Sequence, residues 1–531
     1  MSLFRKGLIL IFLSLSVLLS FSQHGNHDGL PDAFHDSIPL YPEVLGPFSW
    51  NIHHVNPLVQ QYFDQGVQLK YAFAVNESAR SFREARKLDP ECAICYWGEA
   101  WALGSYLNQP MSKAKAPLAL EAAHTARKLA KKHASKLERA LIEAIQMRYI
   151  KDYDPETRAL QDTAFAQAME EVYRQFPDHH EVATIYAEAL FLLEPRRGTR
   201  DVADPDLIRL HTVLEKVLEE NIEHPGACHL YIHATESSQK PELGASCAAY
   251  LGSTIPGASH INHMPSHTWN EIGNWGGSVR ANLQAWQSDQ KAKEGKGIAI
   301  YPSHNLHMLL FSASYDGQGA IAMQAAKDYA KATDNGMYEV LTAVRFGRFD
   351  EIMVHENRPE GTISGGMWDF AKGYAHLKAG EADFARVYLQ RVLTAADTSQ
   401  AEFRFHPARH ILRVLGGILE GEIYWENEER EQGMAAFKRA VMIEDSMAYD
   451  EPEPIPFAAR HWLGAAQMEL EDFSGAEKSY EEELADHPKN GWSLFGLWQA
   501  LKAQGKETSE VEERFQKAWE RADHWIYSSR Y

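Results

Sequence analysis

From Pro57 onward the apolar positions recur three to four residues apart, the period of amphipathic helices. No stretch of alternating β-branched residues is long enough to argue for a sheet. The pattern breaks at short clusters: Asp89-Pro90, Phe176-Pro177-Asp178, Pro225-Gly226 and His487-Pro488. Segments of about 10 to 16 residues joined by such turns predict stacked helical hairpins. A recurring set of small, aromatic and Pro positions sharpens this. Gly66, Phe82, Ala85 and Pro90 reappear as Gly464, Tyr480, Ala476 and Pro488, with 24 residues from Gly to Pro in both. Gly373, Gly380 and Ala385 mark another unit, and Gly421, Phe437 and Ala440 a further one.

Such a set has a mechanical meaning. A small residue lets two helices approach, an aromatic on the second helix fills the gap, and a Pro ends the unit, as in tetratricopeptide repeats. The expected fold is all-α, a right-handed superhelical solenoid of tetratricopeptide-like hairpins, with about eight to ten helix pairs and degenerate middle units. The acidic, Pro-rich run 445–457 interrupts the period and reads as a loop on the solenoid. Residues 1–22 read as a signal peptide and 23–56 as a linker. The repeats then divide into an N-terminal group (57–200), a His-rich middle (201–335) and a C-terminal group (336–531).

The signal peptide rests on Arg5 and Lys6, an apolar run from Gly7 to Phe21, and small residues in Ser20-Phe21-Ser22. The run is shorter than the roughly 20 residues a membrane crossing needs. Cleavage before Gln23 is expected, placing the protein in the periplasm or medium with no membrane span. Removing Arg5 and Lys6 leaves 51 basic against 73 acidic residues, a net charge of −22. That excess argues against nucleic acid and anionic membranes as partners.

Four cysteines fit an oxidising compartment. Cys92 and Cys95 open a helix and are expected to form a disulfide. A thioredoxin-like βαβ context is missing, and Tyr96 excludes a Cys-x-x-Cys-His haem site. Cys228 and Cys247 fall on the two helices of one predicted hairpin and can bridge it.

The chemistry lies in the histidines. Seven of the 25 fall between His229 and His307. His229 follows Pro225 by four residues, while His267 and His304 each close a Pro-Ser-His triplet. The intervals of 38 and 37 residues are about one repeat each. Pro suits the first turn of a helix, so the three occupy similar places on successive first helices, which line the groove. His229, His233 and Glu236 stand at i, i+4 and i+7, on one helix face. Two imidazoles a turn apart with a carboxylate suit zinc, copper or iron. His260 and His263 lie just before the Pro265 helix and can close over the same spot. The expected site is therefore His229 and His233 with His263 or His267, completed by Glu236. His304 and His307 are left for a neighbouring ligand or second ion, and His260 for a supporting part. His24, His27 and His35 read as bystanders. Groove histidines also serve simply to hydrogen-bond peptides, and that reading stays open.

Five segments carry a resemblance: ECAICYWGEAWALG, HPGACHLYIHATESS, GASHINHMPSHTW, PSHNLHMLLF and HPKNGWSLFGLWQAL. Together they resemble a family of exported bacterial tetratricopeptide-repeat proteins, largely without assigned biochemistry. The resemblance implies the fold and the export and brings no substrate. This chain departs from it at Ala74-Val75, where members often carry Asn-His, and at Pro195 to Gly198, where they tend to be aromatic-rich.

Three functions are compatible with these features. One is a scaffold whose groove binds a protein, peptide or glycan. Another is a metal-dependent enzyme or metal-handling protein centred on the histidines. The third, supported only by export and aromatic content, is an accessory role in extracellular polysaccharide degradation. No phosphate loop, Gly-x-Ser-x-Gly elbow or His-Glu-x-x-His is present.

Overall fold

A computed structural model describes residues 29–195 and 198–531. The expected signal peptide, with His24 and His27, lies outside the described residues.

Helices run from Pro57–Tyr71 to Ser509–Ala518, joined to almost no strand. A two-residue ladder pairs Glu402–Phe403 with His406–Pro407. The fold is thus an all-α helical-repeat solenoid. Among the described residues 25 α-helices form twelve successive pairs, with one first helix broken into Ser259–His263 and Pro265–Glu271. The expected eight to ten is too few because the middle pairs have very short second helices, Ala245–Tyr250 and Phe349–Val354.

Local chemistry sets the helix starts. Asn56, Asp204 and His224 accept a backbone N–H of the first turn, each with Pro at the next position. The wedge operates where the spacing places it. A methyl on Gly66 would lie 2.7 Å from Phe82, and one on Gly464 2.5 Å from Tyr480, inside van der Waals contact. Gly421 meets Phe437 in the same way.

The apolar core falls into two main bodies. One runs from Phe34 to Ile300 and the other from Val279 to Trp492. Their seam crosses the helix Trp275–Ala292. The seam is polar. Buried Ser278 bonds Ser312, Ser288 bonds Asn262, and Asn305 bonds Asp289.

Three segments cover the inner side of the array. Residues 29–56, the described part of the expected linker, form a packed strap that buries Phe34, Ile38, Val44 and Trp50. Gln65 and Gln68 accept from the N–H groups of Tyr41 and Gly46. Apart from the single 3-10 turn Asp32–His35 the strap is irregular, so its apolar residues follow no period. The loop 445–457 turns inward, held by Arg404 on the Glu451 carbonyl at 3.1 Å and by His406 on Asp450 at 3.2 Å. The C-terminal tail folds back, with Arg521 on Asp316 at 2.8 Å and Arg345 donating to the Ser529 carbonyl at 3.0 Å. The array curls until Trp275 donates to the Pro488 carbonyl at 3.0 Å.

Candidate metal centre

The helix Pro225–Thr235 is buried along its whole length, because strap, neighbouring hairpins and loops enclose it. Its polar stripe of His229, His233 and Glu236 therefore faces the interior rather than the open groove expected from the sequence. Each histidine carries 1% exposure and Glu236 none. His260 and His263 come from the short helix Ser259–His263, His267 from Pro265–Glu271, and His304 from Pro302–Tyr315.

Hydrogen bonds fix which ring nitrogen carries the proton. His229 Nδ1 lies 2.5 Å from the Tyr71 carbonyl, which can only accept, so Nδ1 donates. His233 Nδ1 and His267 Nδ1 donate to the two oxygens of Glu236, at 3.0 and 2.5 Å. His263 Nδ1 faces Asn282 Oδ1 at 2.6 Å, and the Asn282 amide is turned to the Ser278 carbonyl. In the neutral ring each of these four histidines presents a lone pair on Nε2. Burial, aided by neighbouring imidazoles, drives the His229, His260 and His263 pKa values well below the usual range, so these rings are neutral. Burial alone would raise Glu236; His233 and His267 reverse that and hold its carboxyl well below the ordinary value.

The lone pairs converge. His263 Nε2 and His267 Nε2 are 2.8 Å apart. His229 Nε2 and both nitrogens of His260 have no hydrogen-bond partner among the described residues. A buried polar atom without a partner costs about 1–3 kcal/mol. The ligand atoms of His229, His233 and His260 lie within 4.8 Å of one another, as do those of His263, His267 and His304. A third set, His233, Glu236 and His267, joins three residues of the single site expected from the sequence. Glu236 takes the Nδ1 edges of His233 and His267. His304, expected to serve a neighbouring ligand, joins His263 at 4.7 Å between ring centroids. His260 moves from a supporting part into the first triplet. His307 stands apart, stacked on Tyr338 at 4.2 Å and accepting from Arg404 at 2.9 Å.

Residues outside the sequence reading close the site. Phe73 takes φ 61° and Tyr301 φ 55°, left-handed values that cost a non-glycine residue on the order of 1–3 kcal/mol. The strain puts the Phe73 ring 4.2 Å from His229 and 5.5 Å from His260, and Tyr301 5.2 Å from His260. Tyr106 joins Tyr301 at 2.7 Å between hydroxyls. Tyr301 precedes Pro302 in the motif of His304, a signal that was available; nothing near Phe73 marks it. Ala74-Val75, one departure from the family pattern, adjoins this cap, with Val75 packed in one apolar cluster with Phe73 and Tyr106.

A cleft of about 250 Å³ reaches Glu236 and Ser237 beneath Tyr449 and Glu453 of the inward loop. A smaller one of about 60 Å³ reaches His267 between Trp275, Phe311 and His487. The cysteines lie elsewhere. Cys92 is bonded to Cys95 and Cys228 to Cys247, with Cα atoms 5.4 and 5.0 Å apart.

No protein-family model matches the chain, and no curated protein does either. Among solved structures it is similar to the human IFIT1 dimer with m7Gppp-AAAA, at 12% identity over 81% of this chain and 90% of that one, TM-score 0.30. It is also similar to the P58(IPK) TPR domain, at 10% identity over 84% and 98%, TM-score 0.23. Yeast Tom70 gives 11% identity over 87% and 91%, TM-score 0.27. Likeness at this level carries no argument about what the chain binds; the repeat character rests on its own hairpins and wedges.

Proposed function

We propose that the protein is an exported solenoid that holds a transition metal on the imidazoles of its middle repeats and offers it to a small ligand through the adjoining cleft. The observation behind this reading is the 2.8 Å approach of His263 Nε2 and His267 Nε2. Both rings already give their Nδ1–H to an oxygen, so two lone pairs face each other unless a cation lies between them. A single shared proton would also relieve that repulsion, and the experiment separates the two. Imidazole ligands without thiolate suit zinc, copper or iron. The apolar run 7–21 and the two disulfides support a place outside the cytoplasm.

The test is elemental analysis of protein purified without a histidine tag, as isolated and after equilibration with Zn(II), Cu(II) or Fe(II). At least one ion per folded chain is expected. Protein that holds none after equilibration with all three overturns the reading, leaving a protonated imidazole pair. The scaffold alternative, with a protein, peptide or glycan along the first helices, draws on the repeat architecture itself. Strap, inward loop and tail cover that side, and Trp97, Trp101, Trp462 and Trp492 are core residues, unavailable to a glycan.

A further inference from the structure

We infer that the cluster takes two ions, one on each triplet, and that Glu236 is the positioning residue that makes both triplets competent. This rests on the metal reading above and adds the number of ions and their coupling. His229, His233 and His260 form one ligand set and His263, His267 and His304 the other. Rings of different sets come as close as 5.3 Å, between His233 and His267, and 5.6 Å, between His260 and His263. The sets adjoin without sharing a nitrogen. Each has three protein ligands, the number that leaves a zinc-type ion a position for water, hydroxide or substrate.

Glu236 joins them. One of its oxygens accepts the Nδ1–H of His233 and the other that of His267, one ring from each set. A carboxylate behind an imidazole fixes the tautomer and presents the opposite nitrogen to the metal. Here one carboxylate does this for two centres. The grouping His233–Glu236–His267 also lies within 4.8 Å. Binding an ion there would use the Nδ1 edges that now donate to Glu236, leaving each ring's proton on Nε2 and so withdrawing both rings from their triplets. The cluster therefore holds two outer ions or one central ion, never three. With one carboxylate against two divalent ions, charge balance favours hydroxide or an anionic ligand at the open positions.

Glu236→Gln gives a sharp test. A glutamine oxygen can accept one Nδ1–H, but its NH₂ meets the other Nδ1 and requires that nitrogen to accept. The proton of that ring moves to Nε2, which can no longer bind an ion. Metal-stripped protein titrated with Zn(II) alone should take two ions in the wild type and one in Glu236→Gln. Glu236→Ala, with both rings unheld, should weaken both sites about 10–100-fold. His304→Ala, at the more open edge, and His229→Ala should each leave one ion and guard against a Glu236 variant that fails to fold. A wild type that takes one ion overturns this inference and leaves the metal reading standing, whereas no ion overturns both. Two ions in Glu236→Gln with unchanged affinity remove Glu236 from the role.

Discussion

Two clusters that line neighbouring clefts are built from the same two residue types in opposite proportions. On one wall a single carboxylate, Glu236, stands among the imidazoles. On the other a single imidazole, His487, stands among Glu453, Glu483 and Asp486, with Glu271 and Glu444 nearby. Burial would lower His487, but Glu483 and Glu453 more than reverse it and hold the imidazolium well above the usual range. Burial raises Glu271, Glu444 and Glu483, pushing these three toward neutrality, as it does His229, His260 and His263 opposite. The clusters differ in what remains to be satisfied. His487 donates from Nδ1 to Glu483 at 2.9 Å and its Nε2 faces Glu453 at 3.4 Å, so it keeps no lone pair. Glu453, Asp486 and His487 are near enough together to hold an ion, yet they already contain their cation. The histidine triplets contain none among the described residues, and ligand proximity alone fails to tell the two apart.

The contrast breaks most visibly if the wrong cluster binds metal. The double substitution His233→Ala with His267→Ala should remove an ion from each triplet while circular dichroism stays helical. Retained stoichiometry would move the site to the acidic wall. His487→Ala should do the reverse, keeping the metal content and destabilising the fold. Removing one partner of a buried ion pair costs about 3–5 kcal/mol, and chemical denaturation measures it. A cost below about 1 kcal/mol would mean that the surrounding carboxyls are neutral without His487.

The hairpins were legible because each wedge repeats its own spacing, and the histidine phase because Pro marks the helix starts. Division into triplets was not, since it depends on the broken helix around Met264 and on which edge of each ring Glu236 takes. The strap was hidden because Phe34, Val44 and Trp50 follow no period. The acidic wall was hidden for a different reason: Glu271 and His487 lie more than 200 residues apart in the chain, and only the curl of the array brings them together. Phe73 lies next to Ala74-Val75, yet its left-handed backbone has no marker such as Gly or Asn. A local reading finds ligands that share a helix and misses partners supplied by another repeat.

The smallest expected effect is a pH limb that belongs to His487 alone. Its folded pKa is raised well above the unfolded value of about 6.5. Between those two values the native state binds a proton that the unfolded chain does not, so stability falls as pH rises. The stabilisation is full below about pH 6.5 and is lost as pH climbs through the folded value. One proton limits the slope to about 1.4 kcal/mol per pH unit. Glu271, Glu444 and Glu483 give a slope of the same sign, but theirs starts near the unfolded carboxyl value of about 4.3, at more acidic pH. His487→Gln, which keeps a polar side chain but cannot hold the charge, should flatten the alkaline limb and leave the acidic one. Thermal melts of metal-free protein from pH 6.5 upward make the comparison without interference from ion binding. Parallel profiles for variant and wild type would show His487 to be neutral in the folded protein. The acidic wall would then lack its own cation, and its carboxylates would become a second place to look for metal.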